Sequence, residues 1–128
     1  MSKWVLDASA ILAVLMNEPG NEILTDEVLA ESVASAVNLA EVQAVMVRRG
    51  VAAGEAWKRA IVPAGEIVLF TEDQARIAGS LVAQTRPLGL SLGDRACLAL
   101  ALERKAAVYT ADKSWKKLSL GIPIHIVR

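Results

Sequence analysis

The stretch Trp4-Val5-Leu6-Asp7-Ala8-Ser9-Ala10 brings an acid directly after a short apolar run. Residues 4–6 are typical of a buried strand, and the apolar run 8–16, which stops before Pro19-Gly20, predicts a helix. A strand followed at once by a helix is the start of a unit that builds parallel sheets. Asp7 is therefore predicted at the carboxyl end of a strand, the edge at which open α/β sheets bind their ligands.

The rest of the chain repeats this alternation. Further helices are predicted over residues 21–30, 38–49 and 53–61, from Thr71 up to Pro87, from Ser91 through the apolar run 96–102, and over residues 113–118. Further strands are predicted over residues 32–35, 67–70, 107–110 and 123–127. The pattern predicts a single α/β domain over residues 1–128, with a mainly parallel central sheet of four to five strands and helices on both faces.

The composition favours an aliphatic core and no strong overall electric field. Hydrophobic residues make up 54% of the chain but aromatic residues only 4%, so aliphatic side chains must fill the core or an oligomer interface. The 14 basic and 14 acidic residues cancel, which leaves any contact with nucleic acid to a local patch. The single cysteine, Cys97, lies in an apolar run and is expected to be buried.

The sequence also favours the cytoplasm. One cysteine excludes an internal disulfide, which fits a reducing compartment. The acid at Asp7 precedes any long apolar region, so no signal peptide is visible. The apolar run 8–16 is well short of the roughly 20 residues that span a bilayer. We therefore expect no membrane association.

Three further acids occupy positions comparable to that of Asp7. Glu41 and Asp94 are the last residues of Asn38-Leu39-Ala40-Glu41 and Ser91-Leu92-Gly93-Asp94, which both read as capping boxes at helix starts, and Asp112 follows the strand 107–110. Four carboxylates at one sheet edge repel one another unless a cation lies among them. Oxygen ligands suit Mg²⁺ or Mn²⁺, so the four acids form a candidate metal site.

Each acid on its own also fits an ordinary structural role. Glu41, Asp94 and Asp112 can each stabilise a helix start, and Asp7 can be a turn residue. Ser9 and Thr110, two residues from Asp7 and Asp112 respectively, can add hydroxyls to the site, although Ser9 equally fits a cap of the first helix. The two acids that directly follow apolar strands favour the metal site over four unrelated caps.

A cation held by these acids has an evident use. It polarises a phosphoryl oxygen and makes water more acidic, so a phosphodiester is the natural substrate. His125, the only histidine, lies in the last predicted strand and is expected to be structural. Proton transfer would then fall to a carboxylate or to solvent.

A basic cluster follows Asp112 directly. Lys113, Trp115 and Lys116, with Lys117, can hold phosphates and stack a base. The alternative is a solvated face with Trp115 packed inward. Arg95, beside Asp94, can contact either the substrate or that carboxylate.

The motifs together resemble the PIN-domain family. The resemblance is carried by Val5-Leu6-Asp7-Ala8-Ser9-Ala10, by Asn38 to Glu41, by Leu92-Gly93-Asp94 before an apolar helix, and by Tyr109-Thr110-Ala111-Asp112-Lys113. It covers essentially the whole chain and is greatest to the VapC-type toxins of prokaryotic toxin–antitoxin pairs. It implies a three-layer α/β/α sandwich, with Asp7, Glu41 and Asp94 as core acids, Asp112 as a more variable fourth, and Ser9 as the small hydroxyl residue near the metal.

The resemblance also implies a function. Such toxins are similar in being Mg²⁺- or Mn²⁺-dependent endoribonucleases that cut RNA such as tRNA or rRNA and so block translation. They form homodimers and are silenced by a cognate antitoxin whose tail enters the catalytic groove. Apolar residues of the first two predicted helices would form part of the antitoxin groove, or else ordinary core: Ile11, Leu12, Leu15, Met16, Leu24 and Val28.

Other functions stay open at this point. Asp7 after a strand also suits the phosphorylated nucleophile of a haloacid-dehalogenase-like phosphatase, but such enzymes favour a second Asp where this chain has Ser9. A PIN-like protein-interaction module without catalysis is disfavoured because all four acids are present. A PIN nuclease of RNA processing that has no antitoxin is not separated from a toxin by the sequence.

Overall fold

The computed structural model describes residues 3–128, and within them five short strands form one parallel sheet. The strands are β1 (Trp4–Leu6), β2 (Ser32–Ser35), β3 (Glu66–Val68), β4 (Ala107–Thr110) and β5 (Ile124–Ile126). Their order is β3-β2-β1-β4-β5, and every neighbouring pair is parallel. The chain therefore moves outward in one direction from β1 to β3, and in the other from β4 to β5.

Helices cover both faces of this sheet. They are α1 (Ala8–Leu15), α2 (Asp26–Ala30), α3 (Ala36–Arg48), α4 (Ala53–Ala60), α5 (Glu72–Ser80), α6 (Val82–Thr85) and α7 (Leu92–Arg104). Short 3₁₀ turns span Asn21–Ile23, Arg86–Leu88 and Lys113–Lys117.

The alternation of side chains along β1 separates two core layers. Leu6 packs with the apolar faces of α1, α3 and α4, whereas Val5 points to the other face, where it packs with α7 and Trp115. Residues 96–101 of α7 are fully buried, as its apolar sequence predicts, and Cys97 is a buried free thiol within them. The predicted α/β sandwich with helices on both faces of a parallel sheet is confirmed.

Several boundaries differ from the predicted ones. The predicted helix 21–30 is a 3₁₀ turn followed by α2, because Thr25 interrupts it and caps α2 by accepting a hydrogen bond from Val28 N at 3.2 Å. The predicted helix from Thr71 to Pro87 is divided at Leu81 into α5 and α6. Strand β3 lies at Glu66–Val68 instead of 67–70, so Leu69 leaves the sheet and is 76% exposed.

Trp115 is the largest fully buried side chain of the core. We expect Trp115→Ala to lower the free energy of unfolding by about 3–5 kcal/mol, because it removes buried apolar surface and leaves a cavity. Urea unfolding followed by circular dichroism measures this loss. Trp57→Ala, at a partly buried position in α4, is the matched control and should cost less. An equal loss in the two variants would contradict the packing described here.

Candidate metal centre

The strand order opens a crevice beside Asp7. Strand connections change direction between β1 and β4, and such a switch point is where open parallel sheets bind ligands at their carboxyl edge. Asp7 directly follows the end of β1, and Asp112 lies two residues after the end of β4. The first and fourth of the predicted acids therefore lie at the two sides of one crevice.

Asp7 is a buried carboxylate with three hydrogen-bond donors. Its Oδ1 accepts from Ala10 N at 2.8 Å, which caps α1, and from Ser9 Oγ at 2.7 Å. Its Oδ2 accepts from Thr110 Oγ1 at 2.5 Å. Only 3% of Asp7 is exposed. The two hydroxyls predicted to support the site do contact its first acid.

The same hydroxyls tie the end of β1 to the end of β4. Ser9 Oγ accepts from Ala111 N at 2.8 Å, and Thr110 Oγ1 accepts from Asp112 N at 3.0 Å. The hydroxyl oxygens of Ser9 and Thr110 are 3.3 Å apart. This network holds the Asp7 carboxylate in one orientation across the crevice.

Burial raises the pKa of Asp7 from its usual 3.8 to about 6. The hydrogen bonds from Thr110, Ser9 and Ala10 lower the pKa but offset burial only in part, and the negative charge of Asp94 raises it further. A buried carboxylate with a raised pKa gains more from a nearby cation than an exposed one does.

Glu41 lies at the contact between α3 and α7. Its Oε1 accepts from Asn38 Nδ2 at 2.9 Å, and the same Nδ2 group donates to the carbonyl oxygen of Gly93 at 3.0 Å. Burial raises the pKa of Glu41, the hydrogen bond from Asn38 lowers it, and the charge of Asp94 raises it. Asp94 thus acts electrostatically on both Asp7 and Glu41, which makes these three acids neighbours.

The capping boxes predicted to contain Glu41 and Asp94 have different outcomes. The box at the start of α7 is confirmed: Ser91 Oγ accepts from Asp94 N at 3.1 Å, and Asp94 Oδ2 accepts from Ser91 N at 2.9 Å. The box beginning at Asn38 is wrong, because Ser35 caps α3 three residues earlier by accepting from Val37 N. Glu41 consequently lies in the second turn of α3, where the helix N-terminus stabilises its charge less.

Asp112 lies at the exposed rim. Its Oδ1 accepts from Ser114 N at 2.9 Å and from Ser114 Oγ at 2.7 Å, which caps the 3₁₀ turn after β4. The capping role considered for it is therefore present. It does not exclude a role in the site, since one carboxylate oxygen is enough for the cap.

The chemical types of the side chains at this site suit a hard divalent cation. Carboxylates and hydroxyls are the ligands that Mg²⁺ and Mn²⁺ prefer. In residues 3–128 no three His, Cys, Asp or Glu side chains converge closely enough to hold one ion as they stand. Mg²⁺ usually keeps several waters and takes only one or two carboxylates directly, so acids that lie near one another without converging on one point still suit it. Asp7, Glu41 and Asp94, with Asp112 at the rim, are the residues that would hold it.

The predicted RNA contacts divide into exposed and buried side chains. Lys113 and Lys116 are exposed beside Asp112. Trp115 is 0% exposed, so its predicted role in stacking a base is wrong, because the indole packs inward against the core. The guanidinium of Arg95 donates to Ala78 O on α5 at 2.9 Å, which directs it to the α5 side of α7.

The sequence assigns no catalytic role to His125, Asn38 or Gly93. The ring of His125 lies against those of Trp4 and Tyr109, with centroids 5.9 and 5.0 Å away, in the structural role expected of it. Sequence reasoning took Asn38 only as a cap and did not assign Gly93 a role. The available signal for Gly93 was a glycine inside a helix start, directly before an acid.

Comparisons with known proteins agree with this fold. The PIN domain profile matches residues 4–120, and the chain therefore belongs to the PIN-domain family, whose members are generally nucleases. No curated protein matches the sequence significantly. In residues 3–128 no helix is long and apolar enough to cross a membrane.

Several solved structures share the fold. DNA-bound VapBC from Salmonella typhimurium is 17% identical over 100% of both chains, with a TM-score of 0.77. FitAcB from Neisseria gonorrhoeae is 21% identical over 97% of each chain, with a TM-score of 0.69. VapC20 from Mycobacterium tuberculosis, described as a toxin that cleaves the sarcin–ricin loop, is 16% identical over 94% of this chain and 99% of its own, with a TM-score of 0.70.

The raised pKa of Asp7 predicts a pH-dependent stability. Between the unfolded pKa of 3.8 and the folded pKa of about 6 the folded protein binds more protons, so the free energy of unfolding falls as pH rises through this range and then levels off. Asp7→Asn cannot ionise, so the gap in stability between this variant and the unmodified protein should change in the variant's favour by up to about 3 kcal/mol from about pH 4 to about pH 7.5.

Urea unfolding in EDTA at several pH values measures this effect. Glu41, whose pKa is also raised, contributes the same trend to both proteins and so does not obscure the difference. Asp73→Asn, at an exposed acid of α5, is the control and should show no such gap. Parallel pH curves for Asp7→Asn and the unmodified protein would contradict the raised pKa of the buried Asp7 carboxyl.

Proposed function

We propose that the protein is a metal-dependent endoribonuclease and the toxin of a type II, VapBC-type toxin–antitoxin pair. The observation that carries the proposal is the buried Asp7 carboxylate, fixed by Ser9 and Thr110 at the switch point of the sheet and facing the charge of Asp94. Membership of the PIN-domain family supports a nuclease, and the fold shared with VapBC toxins supports the toxin class.

In this mechanism the acids hold Mg²⁺ or Mn²⁺, directly or through water. Such an ion supplies a Lewis acid for the RNA phosphodiester and for the attacking water. Ser9 and Thr110 orient Asp7 and favour its ionised form through their hydrogen bonds. The single histidine of the sequence, His125, packs against Trp4 and Tyr109, so a carboxylate or solvent would take the proton from the attacking water. Lys113 and Lys116 at the rim would contact RNA phosphates.

A cleft of about 430 Å³ between α1, α2 and the segment after α4 suits an antitoxin. It is mainly apolar and includes Val14, Leu15, Leu29 and Val62. Of the groove residues predicted from sequence, Leu15 lines this cleft. Ile11 and Leu24 belong to the core instead, since they are 0% and 6% exposed. A solved toxin–antitoxin complex from Klebsiella pneumoniae shares the fold, which supports a protein partner for this chain. A homodimer and a cytoplasmic location stay predictions.

Cleavage of total cellular RNA by the purified protein tests the proposed activity. With Mn²⁺ or Mg²⁺ we expect discrete fragments, and with EDTA none. Asp7→Asn and Asp94→Asn should each lower the rate by about a hundredfold or more, the scale expected when one electrostatic stabiliser is lost. Asn retains an acceptor for Ala10 N or Ser91 N, so both caps survive the change.

Asp73→Asn is the matched control, because it neutralises an exposed acid of the same kind away from the crevice. Full activity in Asp7→Asn and Asp94→Asn would exclude the proposed site. Absence of cleavage by folded, antitoxin-free protein would favour a narrower substrate, or the interaction-module alternative. Metal-dependent cleavage without an antitoxin partner would favour an RNA-processing nuclease.

Charge placed in the apolar cleft should weaken the antitoxin complex. Val62 is 72% exposed at the cleft, so Val62→Asp should leave the fold intact and lower the affinity for a co-expressed cognate antitoxin by at least about tenfold, because it buries a charge in the interface. Leu69→Asp is the control at an equally exposed apolar residue, 76% exposed, after β3. Calorimetric affinities that fall for Leu69→Asp and not for Val62→Asp would place the antitoxin elsewhere.

A further inference from the structure

Asn38 is a polar side chain buried in the contact between α3 and α7. It is 1% exposed, and its Nδ2 group donates both to Glu41 on its own helix and to the carbonyl oxygen of Gly93 on α7. Its Oδ1 atom is buried with no hydrogen-bond partner among residues 3–128. Burying an amide with an unpaired oxygen is unfavourable, so an apolar side chain would pack this position with less cost.

The two hydrogen bonds donated by Asn38 connect Glu41 with the backbone next to Asp94, and both acids are candidate metal ligands. One bond holds the carboxylate of Glu41, and the other holds the backbone directly before Asp94. Glu41 and Asp94 come from helices far apart in sequence, and their charges interact. The Asn38 amide is therefore a physical link that sets where one carboxylate lies relative to the other.

Gly93 contributes to the same arrangement. It is buried within the first turn of α7, where glycine is a poor helix former. A Cβ atom at this position would contact the Glu41 carboxylate, at both of its oxygens and its carbon. Because Gly93 has no side chain, the Glu41 carboxylate can occupy this space. Asn38 and Gly93 therefore both determine where the Glu41 side chain lies.

A second buried amide shows that burial alone does not single out Asn38. Gln74 is also 1% exposed, donates to a carboxylate through Nε2 at 2.9 Å from Glu103, and has a buried Oε1 with no partner among residues 3–128. It joins α5 to the last turns of α7, away from the acids. Of these two amides, Asn38 is the one that contacts an acid of the candidate metal centre.

We propose that Asn38 is a positioning residue, which holds the Glu41 carboxylate beside Asp94 in the space left by Gly93 and so increases the affinity of the site for Mn²⁺ or Mg²⁺. The inference rests on the proposed function, because it assigns Glu41 and Asp94 to a metal site. Residues that orient metal ligands through hydrogen bonds commonly affect metal affinity as well as activity.

The test is calorimetric titration of the apo-protein with Mn²⁺. Asn38→Leu removes the amide at nearly constant volume and should weaken Mn²⁺ binding by roughly 10–100-fold. Gln74→Met removes the matched amide and should change the thermal stability to a comparable extent, with Mn²⁺ affinity unchanged. RNA cleavage by Asn38→Leu should shift to higher Mn²⁺ concentration and regain rate as Mn²⁺ is raised, which a general loss of stability would not produce.

Gly93→Ala provides an independent variant. Alanine favours a helix more than glycine, so a merely structural role predicts a more stable protein with unchanged Mn²⁺ affinity. The positioning role predicts weaker binding through displacement of Glu41, and this variant decides the matter if Asn38→Leu does not fold. Unchanged affinity in the folded variant overturns the inference and leaves the proposed function intact. Absence of Mn²⁺ binding by the unmodified protein overturns both.

Discussion

The arrangement of this molecule depends on one buried carboxylate, which lies where the chain connections leave β1 and β4 in opposite directions. Asp7 is 3% exposed, and three donors bind its two oxygens, yet its pKa remains raised to about 6. An ionised group in that position is stable only while Ser9 and Thr110 stay in place, and those hydroxyls also join β1 to β4. The contact between the ends of β1 and β4 and the orientation of Asp7 thus depend on the same few hydrogen bonds.

The two core layers lie on opposite faces of the sheet, and each of them positions an acid at this edge. The layer with α1, α3 and α4 brings Glu41 to the crevice, and the layer with the fully buried part of α7 brings Asp94. Neither helix could shift alone, because Asn38 and Gly93 fit each other across the contact. Packing of ordinary aliphatic side chains therefore sets the separation of the acids, and the polar contacts refine it.

The sequence predicted those features that depend on local chemistry. Apolar runs located all five strands, and the cap at Ser91 located Asp94, because periodicity and capping act over a few residues. The start of α3 was misplaced because Ser35 and Asn38 are both good caps, and only the fold commits Asn38 to a carbonyl 55 residues away. Trp115 was ambiguous for the same reason, since a tryptophan among lysines fits a core or a surface until the neighbouring layer is known.

The chain has no net charge and its candidate site is acidic, so this site would bind an anion such as RNA poorly unless a cation reversed the local charge. Lys113 and Lys116 are exposed, and neither is among the groups that shift the pKa of the buried Asp7. On the proposed function a divalent cation makes that reversal, and it also removes the cost of ionising Asp7 and Glu41 in a buried place. The same burial that destabilises the ionised apo-protein thereby becomes the source of metal affinity, which links the stability of the fold to the chemistry of its site.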